Sequence, residues 1–243
     1  MVAPVDVWPC QRTTSLPRWQ RVLAVGAHPD DESFGLGAIL AAFTAQGTVA
    51  GVLSLTHGEA STIGASDALG EIRARELAGA ARLLGVDWVR LLSYPDGRLR
   101  SMPLATLVGA VHVASTAFEP DALLVFDLGG ITGHPDHRRA TAAALAEASR
   151  RDIPVVAWVL PRTVADQLNQ EFGTTFLGRQ CAEADFTLPV DRSRQLAAIA
   201  EHESQSADNP VLWRRLELQD NQEWLRYLRG PRKAGVPRPA VVA

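Results

Sequence analysis

Cysteine is nearly absent: Cys10 and Cys181 are the only two in 243 residues. That excludes a disulfide-framework fold and a thiolate zinc site, and leaves either one bridge or two free thiols, the thiols being the expectation. Charge of one sign is not in excess either. Lys and Arg total 24 against 27 Asp and Glu, a net charge of −3, so no basic surface argues for nucleic acid or anionic lipid. No apolar run reaches the length of a membrane-spanning helix. Residues 1–19 hold Pro, Trp, Cys and Thr without a basic-then-apolar leader pattern, which makes the cytoplasm the expected setting. What is present is ordinary globular composition, 47% hydrophobic and 21% charged, enough to bury one substantial core.

Apolar runs of strand length at 21–26, 49–56, 88–92, 121–126 and 153–160 alternate with helix-period segments at 35–46, 71–84, 103–118 and 138–150. Alternation of this kind predicts an α/β fold with a Rossmann-like, doubly wound, mostly parallel sheet. The early strands lack polar alternation, as strands covered on both faces do. Residues 57–70 read as a long Gly/Ser/Thr-rich loop, a length that often goes with function. After Pro161 the rhythm breaks. A further strand at 184–190, a helix at 191–203, an aromatic helix at 213–228 and a Pro/Gly/basic tail at 229–243 are expected. The domain boundaries follow as 20–205 for the main unit and 206–243 for a small C-terminal extension of helix and flexible tail. The aromatic helix offers a surface for a homo-oligomer.

Two loops hold the chemistry. Ala27-His28-Pro29-Asp30-Asp31-Glu32 follows the first strand, and Gly133-His134-Pro135-Asp136-His137 follows the fourth. Ligands of open α/β sheets bind beyond the carboxyl ends of the strands, so the loops meet if those strands are neighbours. Adjacent Asp30 and Asp31 must point differently, so one can bind a metal while the other faces its water. His134 and His137 lie three apart on one side of a turn. Two histidines, one carboxylate and open positions make a catalytic zinc site. A spare carboxylate and a spare histidine then serve proton transfer and oxyanion stabilisation.

At these residues the chain resembles the LmbE-like (PIG-L) N-deacetylase superfamily. Its Ala-His-Pro-Asp-Asp-Glu loop and later His-Pro-Asp-His stand intact at 27–32 and 134–137. The resemblance implies a metal-dependent hydrolase that removes an acyl group, acetyl above all, from the nitrogen of an amino sugar or glycoconjugate. It implies His28, Asp31 and His137 as ligands of Zn2+, with Fe2+ able to occupy the same set. Asp30 would be the general base and His134 the oxyanion stabiliser, with Asp136 a second orienting carboxylate. Arg73 and Asp96 would contact substrate, Glu76 would steady Arg73, and His202 with Gln205 matches a C-terminal His-x-x-Gln feature of some relatives. The partner implied is a small molecule, with neither nucleic acid nor membrane.

Other readings stand beside this one. An amidase cleaving a thiol glycoconjugate would use the same residues. A non-haem iron oxygenase also takes two histidines and a carboxylate, and a metal- or sugar-binding protein needs neither Asp30 nor His134. Asp136 could simply cap the following helix. His57 and Glu59 close the second strand as pocket or solvated loop residues, and His112, in an Ala/Val-rich helix, reads as structural.

Overall fold

The computed structural model describes residues 12–231. Its elements run β1 (Arg21–Gly26), α1 (Asp31–Phe34), α2 (Gly37–Ala45), β2 (Val49–Thr56), α3 (Leu69–Leu84), β3 (Val86–Tyr94), α4 (Leu104–Phe118), β4 (Ala122–Phe126), α5 (Gly130–Gly133) and α6 (Pro135–Arg151). The second half adds β5 (Val155–Pro161), α7 (Arg162–Phe172), β6 (Gly178–Arg179), β7 (Phe186–Pro189), α8 (Ser193–Glu201), α9 (Glu203–Ser206), α10 (Pro210–Gln219) and β8 (Gln222–Arg229). The sheet order is β3-β2-β1-β4-β5-β8-β7, with β6 beside β5. Strands β1 to β5 pair in parallel, and β8 runs antiparallel to both β5 and β7.

Both sheet faces are covered. In β1, Val22 and Ala24 pack with Ile39, Phe43, Leu77 and Leu84 of α2 and α3. Leu23 and Val25 point the other way, onto Val111 and Phe118 of α4 and Ala143 and Ala144 of α6. Alternate residues thus enter two different cores. β1 and β4 are neighbours, and the chain leaves β1 towards β2 on one side while β4 lies on the other. That reversal opens a crevice at their carboxyl ends, where both motif loops emerge.

Several expectations change. The helix expected at 35–46 begins at Gly37, and one separate turn, α1, starts inside the first motif. The aromatic helix expected at 213–228 is α10 followed by strand β8. Helix α10 ends at Asp220, which adopts φ 48, and Asp220-Asn221 supplies turn chemistry. Beyond it, Glu223 accepts from Trp158 Nε1 at 2.6 Å and from Arg192 Nη1 at 2.6 Å, which fixes the segment beside β5. Helix α7 had no counterpart in the sequence reading. Cys181 is disulfide-bonded rather than free; Cys10 lies outside the described residues, as does the expected tail beyond Pro231. Among the described residues no helix is long and apolar enough to cross a membrane.

Candidate active site

The first motif loop closes on itself. Asp31 Oδ2 accepts from Ala27 N at 2.7 Å and His28 N at 3.1 Å. Gly26 is required beneath it, since a Cβ there would lie 2.9 Å from Asp31 Oδ2. Asp30 sits at φ 128, a conformation that disfavours any residue with a Cβ and costs about 1–3 kcal/mol. Its neighbours hold it. Glu32 Oε2 accepts from Asp30 N at 3.0 Å, and Asp30 O accepts from Ser33 N and Phe34 N at 2.9 and 2.7 Å. From α3, Arg73 donates to Asp30 Oδ2 at 2.8 Å, to Gly58 O at 2.7 Å and to Pro29 O.

The second loop leaves β4 after Phe126 and takes positive φ at Gly130, Ile131 and Gly133. His134 caps α6, its Nδ1 accepting from Asp136 N at 3.2 Å, and Pro135 opens the helix. One turn on, His137 is aimed back at the first loop.

The loops converge. His28 Nδ1 lies 3.2 Å from His137 Nε2, and Asp31 Oδ1 lies 3.1 Å from the same His137 nitrogen. His137 Nδ1 faces Gly130 O at 3.1 Å. His28 Nε2 faces Asp96 Oδ1 at 3.0 Å and Asp136 Oδ2 at 3.7 Å. When each ring donates outward to these oxygens, as metal-bound histidines do, its other nitrogen presents a lone pair inward. Ligand atoms on a tetrahedral zinc with bonds of about 2.0–2.1 Å sit roughly 3.3 Å apart. The two spacings about His137 Nε2 and the donor chemistry of the three side chains therefore suit a small divalent cation held by His28, Asp31 and His137.

Among the described residues the clusters of mutually close ligand atoms are His28 with His134 and His137, and His28 with Asp96 and Asp136; Asp31 joins the first through His137. Hydrogen bonding separates their tasks. His134 spends its Nδ1 lone pair on Asp136 N–H, so Nε2 carries the proton and can only donate. Asp136 accepts from Gly97 N at 2.8 Å and Leu99 N at 3.1 Å, so it pins the loop after β3 as well as facing His28; the helix cap is His134. Asp96 Oδ2 accepts from Ala60 N at 2.9 Å.

Burial pushes the Asp30 carboxyl up, to about 6, with Arg73 opposing and Asp31 assisting. Burial would raise Asp31 too, but the charges of His137 and His28 outweigh it and hold Asp31 well below the usual carboxylate range. For His28, burial opposes the charge, yet Asp136, Asp96 and Asp31 together raise its pKa to about 10. Burial lowers His134, helped by the charges of His137 and His28, which favours a neutral ring donating from Nε2.

His28, Asp30, Asp31, Arg73, Asp96, His134, His137 and Gln205 line one cavity of about 370 Å³, whereas Asp136, Glu76 and His202 stand behind its wall. Arg73 and Asp96 reach it, but Arg73 is also clasped to Asp30 and Asp96 to His28. Glu76 does not steady Arg73; it accepts from Ser204 N and Oγ at 2.8 and 2.7 Å. His57 faces Gly70 O and Ser93 Oγ, both at 3.3 Å, and Glu59 accepts from Asp96 N at 3.0 Å, so each braces a loop. His112 pairs with buried Glu147 at 2.9 Å. The sequence reading had missed the partnership of Glu32 with His202, whose Nε2 lies 2.6 Å from Glu32 Oε1. It had also missed an aromatic wall that includes Phe126 and Trp158. Both occupy the last stretch of a predicted strand, the position from which a signal was available; Phe176, in the unread 161–190 segment, offered none.

Comparison with known proteins bears on the family and the fold. A family model described as GlcNAc-PI de-N-acetylase, PIG-L, matches residues 23–149. A 1D-myo-inositol 2-acetamido-2-deoxy-alpha-D-glucopyranoside deacetylase of Salinispora arenicola is 31% identical over 82% of this chain and 80% of its own. The enzyme of the same name from Streptomyces griseus subsp. griseus is 35% identical over 60% of this chain and 54% of its own. This chain spans about half the length of several curated relatives it matches, between 45% and 59%. The zinc-inhibited form of the teicoplanin deacetylase Orf2 superposes with a TM-score of 0.64 at 21% identity, covering 86% of this chain and 98% of that one, a likeness of fold.

Proposed function

Because the chain belongs to the PIG-L family, we propose that it is a metal-dependent amide hydrolase that removes an acyl group, acetyl in the simplest case, from the nitrogen of an N-acetylglucosamine-type sugar or glycoconjugate. One observation carries the reading. His137 Nε2, from the second loop, lies 3.2 Å from His28 Nδ1 and 3.1 Å from Asp31 Oδ1 of the first, beside the Asp30 carboxylate that Arg73 holds at 2.8 Å. His28, Asp31 and His137 would hold Zn2+, and Fe2+ suits the same donors. Such a cation lowers the pKa of water to about 7 and polarises the acyl oxygen.

The chain's own residues supply the rest. Asp30, unable to turn away while Arg73 grips it, takes a proton as the water oxygen bonds to the acyl carbon. His134 donates from Nε2 to the oxygen that becomes negative in the tetrahedral species. As the carbon–nitrogen bond breaks, Asp30 returns the proton to the nitrogen, leaving a free amine and a carboxylic acid. Asp96 and Asp136 keep the His28 ring in orientation, and the cavity edges of Arg73 and Asp96 meet the sugar.

Zinc-loaded protein should release acetate from N-acetylglucosaminyl compounds, the inositol conjugate included. Asp30→Ala should retain zinc and lose that release. Equal activity in wild type and Asp30→Ala, or none across the panel, sinks the reading.

A further inference from the structure

Three positive φ angles carry the chain from β4 to the second motif, at Gly130, Ile131 and Gly133. Two fall on glycine, which accepts them without strain. The third falls on a β-branched residue. Ile131 stands at φ 60, ψ −64, the rare and strained form of a three-residue turn. Such a conformation persists only where the surroundings over-determine it. Here they do. Ile131 is 3% exposed, and its side chain joins the buried cluster that includes Phe126, Trp158, Val164 and Leu168. Its carbonyl accepts from Leu177 N at 2.8 Å, and Gly130 N donates to Asp127 O at 2.7 Å. Asp127, itself buried, is pinned by Arg179 and Arg226 at 2.6 and 2.7 Å.

The turn has a consequence one step further on. The peptide between Gly130 and Ile131 presents its carbonyl to His137 Nδ1 at 3.1 Å. A carbonyl only accepts, so Nδ1 carries a proton and Nε2 is the nitrogen left to face His28 and Asp31. The φ of Ile131 sets that carbonyl against the Ile131 side chain. With the side chain kept in the core, relaxing φ to a negative value turns the carbonyl away from His137. Resting on the metal-dependent hydrolase reading, we propose that Ile131 is a positioning residue: its buried side chain holds the strained turn that aims the Gly130 carbonyl at His137 Nδ1, and so keeps Nε2 directed at the metal. Partners that orient a ligand imidazole in this way change metal affinity by about 10–100-fold when they are lost.

Ile131→Gly, Ile131→Ala and Ile131→Val are read in three ways. Zinc affinity comes from competition with a chelator of known affinity. Ile131→Gly should bind zinc about 10–100-fold more weakly, while Ile131→Val, which keeps the branched anchor, should match the wild type. Proton spectra of the metal-free protein should show a hydrogen-bonded Nδ1–H, assigned to His137 by its loss in His137→Ala. That proton should survive in Ile131→Val and exchange away in Ile131→Gly. Melting curves should place Ile131→Gly above Ile131→Ala, the reverse of the usual order, since alanine keeps a Cβ at the strained φ. Ile131→Gly with wild-type zinc affinity and an intact Nδ1–H leaves Ile131 a packing residue and overturns the proposal. Ile131→Ala melting above Ile131→Gly overturns it as well. Should the small variants not fold, the His137 proton decides: its absence from the wild type overturns the proposal and its presence there supports it. Wild type without zinc affinity overturns the metal-dependent hydrolase, while the proton and the melting order still carry or sink the role of Ile131.

Discussion

Replacing His202 with alanine removes a cationic partner of Glu32 from the interior. Their exposures are 0% and 1%, and the charged atoms lie 2.6 Å apart. Breaking a buried pair by deleting one member costs about 3–5 kcal/mol, because the other charge stays behind without compensation. Glu32 would keep two donors, Ser33 Oγ at 2.6 Å and Asp30 N at 3.0 Å, so the lower end applies, about 3 kcal/mol. For a chain of this size that lowers Tm by roughly 6–12 °C. Urea unfolding of wild type, His202→Ala, Glu32→Gln and the double variant forms a cycle whose coupling should exceed about 1 kcal/mol. The sign with pH follows from both partners. Burial would raise Glu32, but His202, Ser33 and the Asp30 N–H hold it low, so its contribution is complete above about pH 4.3 and fades as pH falls through the depressed value. Burial would lower His202, but Glu32, Asp30 and Glu76 raise it, so its contribution is complete below about pH 6.5 and fades as pH rises through the elevated value. The deficit of His202→Ala should therefore be largest between about pH 4.3 and 6.5 and shrink in alkali. A single-variant cost under about 1 kcal/mol, or strict additivity in the cycle, refutes the argument.

Arg73→Lys should fold but lower kcat by about a hundredfold, since a single ammonium cannot grip Asp30, Pro29 and Gly58 as the guanidinium fork does; a kcat within threefold of wild type, or about 0.6 kcal/mol, contradicts that grip. Chelation should lower Tm reversibly, and zinc at about a thousandfold excess over Kd should restore about 4 kcal/mol, a response that Asp31→Asn and His137→Ala lose; an unchanged melting curve counts against the site. Gly35→Ala gains about 1 kcal/mol by stiffening a backbone already at φ −93, but overpacking against Phe126 and Trp158 costs about 1–3 kcal/mol, so urea unfolding should show a net loss or near balance, and a clear gain in stability shows that the rings yield.

The alternating elements and the two motifs were legible because each rests on local pattern: apolar runs of strand length, helical spacing, and histidine next to carboxylate. The neighbourhood of β1 and β4 stands in the sequence only as a condition, and the sheet order meets it. The C-terminal region was not legible for a physical reason. Trp213, Trp224, Leu225 and Tyr227 share one apolar stretch, and short apolar runs do not distinguish strand from helix. What decides the matter is Glu223, a buried carboxylate satisfied by Trp158 and Arg192 from distant parts of the chain. The loop partners of Asp96 and Asp136 were hidden in the same way, because a contact 36–39 residues away leaves no periodicity.

Asp30, Asp31 and Glu32 are three consecutive carboxylates in a buried loop, where like charges repel strongly. The fold tolerates them by giving each a different partner from a different part of the chain. Arg73 of α3 serves Asp30, the imidazoles of His28 and His137 serve Asp31, and His202 between α8 and α9 serves Glu32. The outcome is separation: Asp31 and Glu32 are driven low, while Asp30 rises to about 6 despite its arginine. A carboxylate poised near neutrality can both take and return a proton at working pH, whereas one driven low can only stay charged and hold a cation. The division of labour between base and ligand thus follows which side chain reaches which neighbour. Glu32, bonded to Asp30 N–H at 3.0 Å, keeps the first of the three in its strained pose. A change at His202, remote from the reacting atoms, should consequently reach the chemistry through Asp30's position before it alters the metal ligands.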